Sequence, residues 1–151
     1  MKLEPFLKER GVAFEKTGHR ATYTSQTMAQ AEHVTGYMVA KPVIVKGDTG
    51  YAMCVVAAPD HVDLKQVGKV LKDAHVRLAG EKEMAGLFPD CELGAEPPVG
   101  AMFGMKTIMD TGLRLDEFLV MQAGSHTEAV RIRRDDWEKL CEPVVAPISL
   151  A

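Results

Sequence analysis

An α+β fold on a mixed β-sheet is predicted by three features of the chain. The first is a hairpin. Met38–Lys46 and Tyr51–Ala58 are nearly continuous apolar runs on either side of Gly47-Asp48-Thr49-Gly50, the pattern of two strands joined by a tight turn. The second is irregular order. Helical patterns interrupt the strands without the regular alternation of a parallel βαβ fold. The third is Gly94-Ala95-Glu96-Pro97-Pro98-Val99-Gly100. Proline has no backbone donor and a fixed φ, and glycine reaches positive φ without strain, so this stretch is a stiff bent loop.

Taken in order, Leu3, Phe6 and Leu7 have helical spacing and Gly11 can stop that helix. Val12–Lys16 reads as a short strand and His19–Tyr23 as a polar connection. Thr24 or Ser25 can cap a helix through Met28, Ala31 and Val34 that stops at Gly36. In the hairpin, apolar residues at successive positions predict burial on both sheet faces. Pro42 cannot donate to a ladder and belongs at a strand end, an edge or a bulge.

Asp63 can cap a helix whose apolar stripe is Leu64, Val67, Val70 and Leu71. Lys65, Lys69 and Lys72 fall on its other side, a solvated basic face that could touch a phosphate backbone locally. A short strand over His75–Leu78 and a helix over Glu81–Phe88 follow, and Pro89 ends the helix. After the Gly94–Gly100 loop, Lys106–Asp110, Glu117–Gln122 and Glu128–Arg133 read as strands. Asp135 can cap a last helix with Trp137, Leu140 and Cys141 inward, ended by Pro143.

Composition limits the function. A chain of 151 residues with 46% hydrophobic and 26% charged residues is expected to form one globular domain over residues 1–151. No apolar run is long enough to span a bilayer and the N-terminus has no signal-peptide pattern, so a cytoplasmic protein without a membrane partner is expected. Cys54, Cys91 and Cys141 are scattered, which suits reduced thiols and offers no zinc spacing. The net charge is -3, so any nucleic-acid contact should be small and local. Walker, dinucleotide-binding, zinc-protease and serine-elbow motifs are absent, and no cofactor or metal is expected.

Three stretches could carry chemistry. Lys41 interrupts an apolar strand, and a lysine at a sheet rim can hold an anion or a carbonyl oxygen, or simply reach water. Gly124-Ser125-His126 could present backbone N–H groups and a hydroxyl to a ligand, or be a plain hairpin turn. The Gly94–Gly100 loop could face a ligand in the same way, or be chosen for its turn geometry alone.

In order and rough spacing, Ala40-Lys41-Pro42-Val43-Ile44-Val45, Gly94–Gly100 and Gly124-Ser125-His126 resemble the YbaK-like aminoacyl-tRNA deacylases, relatives of the editing domain of bacterial prolyl-tRNA synthetase. The similarity runs from about Thr24 to Pro143. It implies a mixed sheet partly curled into a barrel, with helices around it. It also implies hydrolysis of a mischarged aminoacyl-tRNA ester at the acceptor end, with a synthetase or elongation factor as further partners. By this resemblance Lys41, Gly100, Gly124, Ser125 and His126 are the candidate catalytic positions. Gly94, Pro97, Pro98, Val99, Met102 and Phe103 are the candidate substrate-binding ones. Pro42 stands where many members have Thr, and Val99 where many have Phe, which bears on amino-acid preference. A binding module of the same fold without hydrolysis is the alternative. A small-molecule ester or thioester hydrolase is a third reading, disfavoured by the missing serine elbow and Cys–His signature.

Overall fold

The computed structural model describes residues 2–18 and 38–150. The polar connection and helix expected between His19 and Gly36 lie outside the described residues. The chain opens with α1 (Leu3–Glu9), which buries Leu3, Phe6 and Leu7. Gly11, at φ +69°, follows its end as the spacing predicts. The Val12 N–H is tied back to the Leu7 carbonyl at 2.9 Å. The first strand, β1 (Glu15–Gly18), therefore starts later than the expected Val12.

β2 (Ala40–Gly47) and β3 (Gly50–Ala57) form the predicted hairpin, in continuous antiparallel register from Ala40↔Ala57 to Gly47↔Gly50. β4 (His61–Val62) leads into α2 (Leu64–Leu71). Asp63 caps that helix, its Oδ1 accepting the N–H groups of Lys65 at 3.1 Å and Gln66 at 3.4 Å. β5 (Arg77–Leu78) and α3 (Glu81–Leu87) follow. The Gly/Pro loop runs into a 3-10 turn over Gly100–Phe103 and then β6 (Lys106–Asp110). A second 3-10 turn, Thr111–Leu115, precedes β7 (Phe118–Gln122) and β8 (Glu128–Arg133).

α4 (Arg134–Cys141) starts one residue before the expected cap, so Asp135 lies inside its first turn. The reason is that the Arg134 N–H donates to Glu117 O at 2.9 Å and its side chain holds Asp116 O at 2.8 Å. The apolar tail is structured: β9 (Val144–Ala146) and β10 (Ser149–Leu150) extend two sheets.

The larger sheet is mixed, in the order β5-β2-β3-β6-β9, with antiparallel β5, β2 and β3 and parallel β3, β6 and β9. A smaller antiparallel sheet has the order β1-β8-β7, and β4 pairs with β10. A parallel bridge between Val39 and Val120 joins the two larger sheets. No closed barrel forms among the described residues. Pro42 has β3 on one side, while β5 reaches only Val45 and Lys46 on the other, so it occupies an edge as expected.

Both faces of the central sheet are buried. Met53, Val55, Ala40 and Ile44 pack with α1, Val99, Met121 and Trp137. Ala52, Cys54, Val56 and Val45 pack with Val67 of α2, Ile108 and Ile148. Each fully buried aliphatic side chain contributes about 1.5–3 kcal/mol, which is why the runs in β2 and β3 do not alternate. Asp110 secures the tail from inside: Oδ1 accepts the N–H groups of Ile148 at 2.9 Å and Ser149 at 3.2 Å, and Oδ2 accepts that of Gly112 at 3.0 Å.

Candidate active site

The Gly94–Gly100 loop and the Gly124–His126 turn meet in space. The Gly124 N–H donates to the Ala95 carbonyl at 2.9 Å, and the Glu92 N–H donates to the Gly124 carbonyl at 2.8 Å. The His126 N–H reaches Glu92 Oε1 at 3.2 Å. His126 Nε2 lies 2.8 Å from Leu93 O. A carbonyl can only accept, so Nε2 carries the proton and donates. Both glycines that allow this crossing have positive φ, 86° at Gly94 and 99° at Gly124.

A cleft of about 240 Å³ opens where the two stretches join, lined in part by Asp90, Cys91, Glu92, Pro97, Met102, Ala123, Gly124, Ser125 and Glu128. This is at the small end of ligand sites. Its lining carries three carboxylates, those of Asp90, Glu92 and Glu128, against the Lys2 ammonium.

Of the expected site residues, Pro97, Met102, Gly124 and Ser125 line this cleft. The others stand behind it or apart from it. Val99, expected at the pocket wall, is fully buried in the core instead. The Pro98 carbonyl accepts the Trp137 Nε1–H at 2.8 Å, which pins the loop to α4. Gly100 packs on β6, where an added Cβ would overlap Thr107 Oγ1 and come within 3.0 Å of the Met105 carbonyl oxygen. Phe103 is half-buried with its ring edge-on to Phe88, centroids 4.5 Å apart. Gly94 is exposed, and its N–H donates to both oxygens of the buried Glu96 carboxylate at 3.0 Å.

The loop's donors are largely spent within the protein, which corrects the expectation that they face a ligand. The Val99 N–H goes to Pro97 O at 2.8 Å. The N–H groups of Gly100 and Ala101 point at the Cys141 sulfur, yet burial pushes that thiol up to about 12. With the Gly124 and His126 N–H groups also committed, Ser125 is the residue of the turn whose N–H has no acceptor among the described residues. Its hydroxyl lies 3.3 Å from Thr127 Oγ1.

Lys41 stands apart. Its ammonium donates to Ala58 O at 2.9 Å, and it is not among the cleft-lining residues. Side chains alternate across a strand, so Lys41 shares a face of β2 with Val43 and Val45, which pack toward α2. Ala40 and Ile44 point the other way, to the side of Val99 and Ala123. Burial holds the Lys41 ammonium below the ordinary lysine range, with the Asp60 carboxylate partly offsetting it.

Sequence reasoning missed Glu92 and Thr107, and it turned Trp137 inward without its bond to the loop; all three fix these stretches through tertiary contacts alone. Glu96 could have been found, since a charged residue inside an otherwise apolar Gly/Pro loop invites a local backbone bond. Asp48, Asp73 and His75 also converge, at an exposed position far from any expected metal spacing. Both Asp73 oxygens accept backbone N–H groups, from Asp48 at 2.6 Å and His75 at 2.8 Å, and His75 Nδ1 lies 2.9 Å from Asp48 Oδ2. These side chains latch two loops together.

The sequence of residues 19–140 matches the profile of the aminoacyl-tRNA editing domain. The chain belongs to that family. Solved structures share the fold of this editing domain. One is a proposed trans-editing enzyme for prolyl-tRNA synthetase, at a TM-score of 0.88 and 21% identity, covering 98% of this chain and 94% of that one. Another is a hypothetical protein, at a TM-score of 0.89 and 20% identity, covering 97% and 98%. A third, a scaffold used for epitope backbone grafting, has a TM-score of 0.87 and 18% identity, covering 98% and 94%. No curated protein matches the editing domain's sequence significantly. Among the described residues no helix is long and apolar enough to cross a membrane.

Proposed function

We propose that this editing domain is a trans-acting deacylase that hydrolyses the ester of a mischarged aminoacyl-tRNA. The observation that carries the reading is the joining of the Gly94–Gly100 loop to the Gly124–His126 turn beside one small cleft. The cleft's chemistry supports it. An aminoacyl ester carries a cationic α-amino group, and a lining with three carboxylates favours that charge. The volume suits a small acyl group rather than a whole nucleotide.

The ester is already activated, so the protein's task is to hold the carbonyl and a water in line and to stabilise the oxyanion. Water adds to the ester carbon, the bond to the ribose oxygen breaks, and the water proton ends on that oxygen. The products are the free amino acid and a tRNA with its terminal hydroxyl restored. Ser125 offers a backbone N–H and a hydroxyl at the cleft. His126 serves as a brace whose ring N–H is committed to Leu93 O. The Lys41 ammonium, with one of its three donors on Ala58 O, has two left for an RNA phosphate outside the cleft.

The alternative is a binding module that recognises aminoacyl-tRNA or a synthetase without hydrolysis. It is favoured by the spent backbone donors around the cleft and by the placement of Lys41 on the other face of β2. Deacylation of a panel of charged tRNAs, including Ala-, Ser-, Cys- and Pro-tRNA(Pro), by wild type and Lys41→Ala separates the two. The enzyme reading expects rapid hydrolysis of one mismatched species, lost in the variant. Binding of a charged tRNA with no hydrolysis across the panel would establish the module instead.

A further inference from the structure

We infer that the exposed face of α2 is an RNA-backbone contact surface, on which Lys65, Lys69 and Lys72 hold consecutive phosphates of the tRNA outside the reaction cleft. The inference rests on the proposed RNA substrate and adds where the body of that RNA lies. The three lysines are exposed and line one open groove of about 540 Å³ together with Gly68, Asp73 and Val76. They are spaced four and three residues apart, so they lie along one helix side at intervals of roughly 5–6 Å.

The local charge opposes that of the whole chain. The net charge is -3, yet Leu64–Leu71 contains no acidic residue, and among the described residues none of the three lysines forms an ion pair. The carboxylates that flank the helix are engaged by backbone: Asp63 accepts the N–H groups of Lys65 and Gln66, and Asp73 those of Asp48 and His75. Lys72 occupies the left-handed C-cap at φ 55°, where glycine is usual, and so keeps a cation at the end of the stripe. Gly68 admits the chain close to the helix: an added Cβ would come to 2.7 Å of the Asp73 carbonyl oxygen.

The stripe also begins near the other candidate anion ligand. α2 packs on the face of β2 that Lys41 shares, and Asp60, whose charge reaches Lys41, comes just before the Asp63 cap. A protein acceptor for this face would need matching carboxylates; a nucleic-acid backbone supplies phosphate anions at regular intervals.

The test is the salt dependence of binding of a full-length tRNA to wild type, to Lys65→Ala/Lys69→Ala/Lys72→Ala, and to the corresponding triple Arg variant. Hydrolysis of a short aminoacylated 3′-end fragment is measured alongside. For three lost phosphate contacts the slope of log K against log salt should fall by about 2–3. The Arg variant should keep the wild-type slope, and all three proteins should treat the short fragment alike. An unchanged slope in the Ala variant overturns the inference. So does an equal loss on the short fragment, which would place the lysines at the reaction itself. If wild type hydrolyses no ester but binds tRNA with a lysine-dependent slope, the deacylase reading fails and this surface stands.

Discussion

The Gly124 N–H donates to the Ala95 carbonyl at 2.9 Å, and through that bond two glycine-containing stretches far apart in the chain become one structure. The Glu92 backbone, the Glu92 carboxylate and the His126 ring add three more bonds across the same seam. A site built this way is sensitive to small displacements, because the loop that walls the cleft also carries the braces.

His126→Ala should release the Leu93–Glu96 segment and lower kcat about tenfold or more, while His126→Gln, which can still reach a carbonyl with an N–H, should keep part of the activity. Amide hydrogen exchange over residues 92–96 checks this: it should accelerate in the Ala variant and less in the Gln variant. Complete loss in His126→Gln without faster exchange would mean that the ring acts in the chemistry.

Gly100→Ala has no room for its methyl group between Thr107 and Met105. Overpacking of this kind costs about 1–3 kcal/mol. Urea unfolding should show a lower midpoint with an unchanged slope, and deacylation should fall with it. Thr107→Ala added to the variant removes the overlapping hydroxyl, so it should recover part of the midpoint.

Trp137→Phe keeps most of the buried ring but leaves the Pro98 carbonyl without its 2.8 Å donor. A buried acceptor stripped of its partner costs about 1–3 kcal/mol. Chemical denaturation reads that loss. Because Pro98 lies between the cleft-lining Pro97 and Met102, KM for the charged tRNA should rise as well.

Lys41→Ala removes a charged donor that would hold the RNA outside the cleft, a contact of about 1.5–3 kcal/mol, so kcat/KM for the charged tRNA should fall about 10–10²-fold, with its circular dichroism spectrum unchanged. The lowered pKa gives a second readout. If the ammonium is the working form, activity falls as pH rises toward a value below the ordinary lysine range, and Lys41→Arg should abolish that alkaline limb. The linkage has the opposite sign for stability. A group whose folded pKa is depressed binds more protons when unfolded, so the Lys41 contribution to stability improves as pH rises through that window.

The sequence alone determined the parts that local chemistry governs. The apolar runs around Gly47–Gly50 set the hairpin, and Asp63 before the Leu64–Leu71 stripe set a capped helix. The placement of Pro42 followed from its missing N–H. The Gly/Pro composition of residues 94–100 excluded helix and strand, and motif order pointed to the editing-domain family. Tertiary structure decided what depends on distant partners. Whether a backbone N–H faces a ligand or a neighbour cannot be read from its own residue: Gly124 bonds Ala95, Trp137 takes the Pro98 carbonyl, and Cys141 receives the Gly100 and Ala101 amides. Val99 went into the core and Lys41 onto the α2 side because strand register and loop path choose the face a side chain occupies, and both are fixed only when the whole core packs.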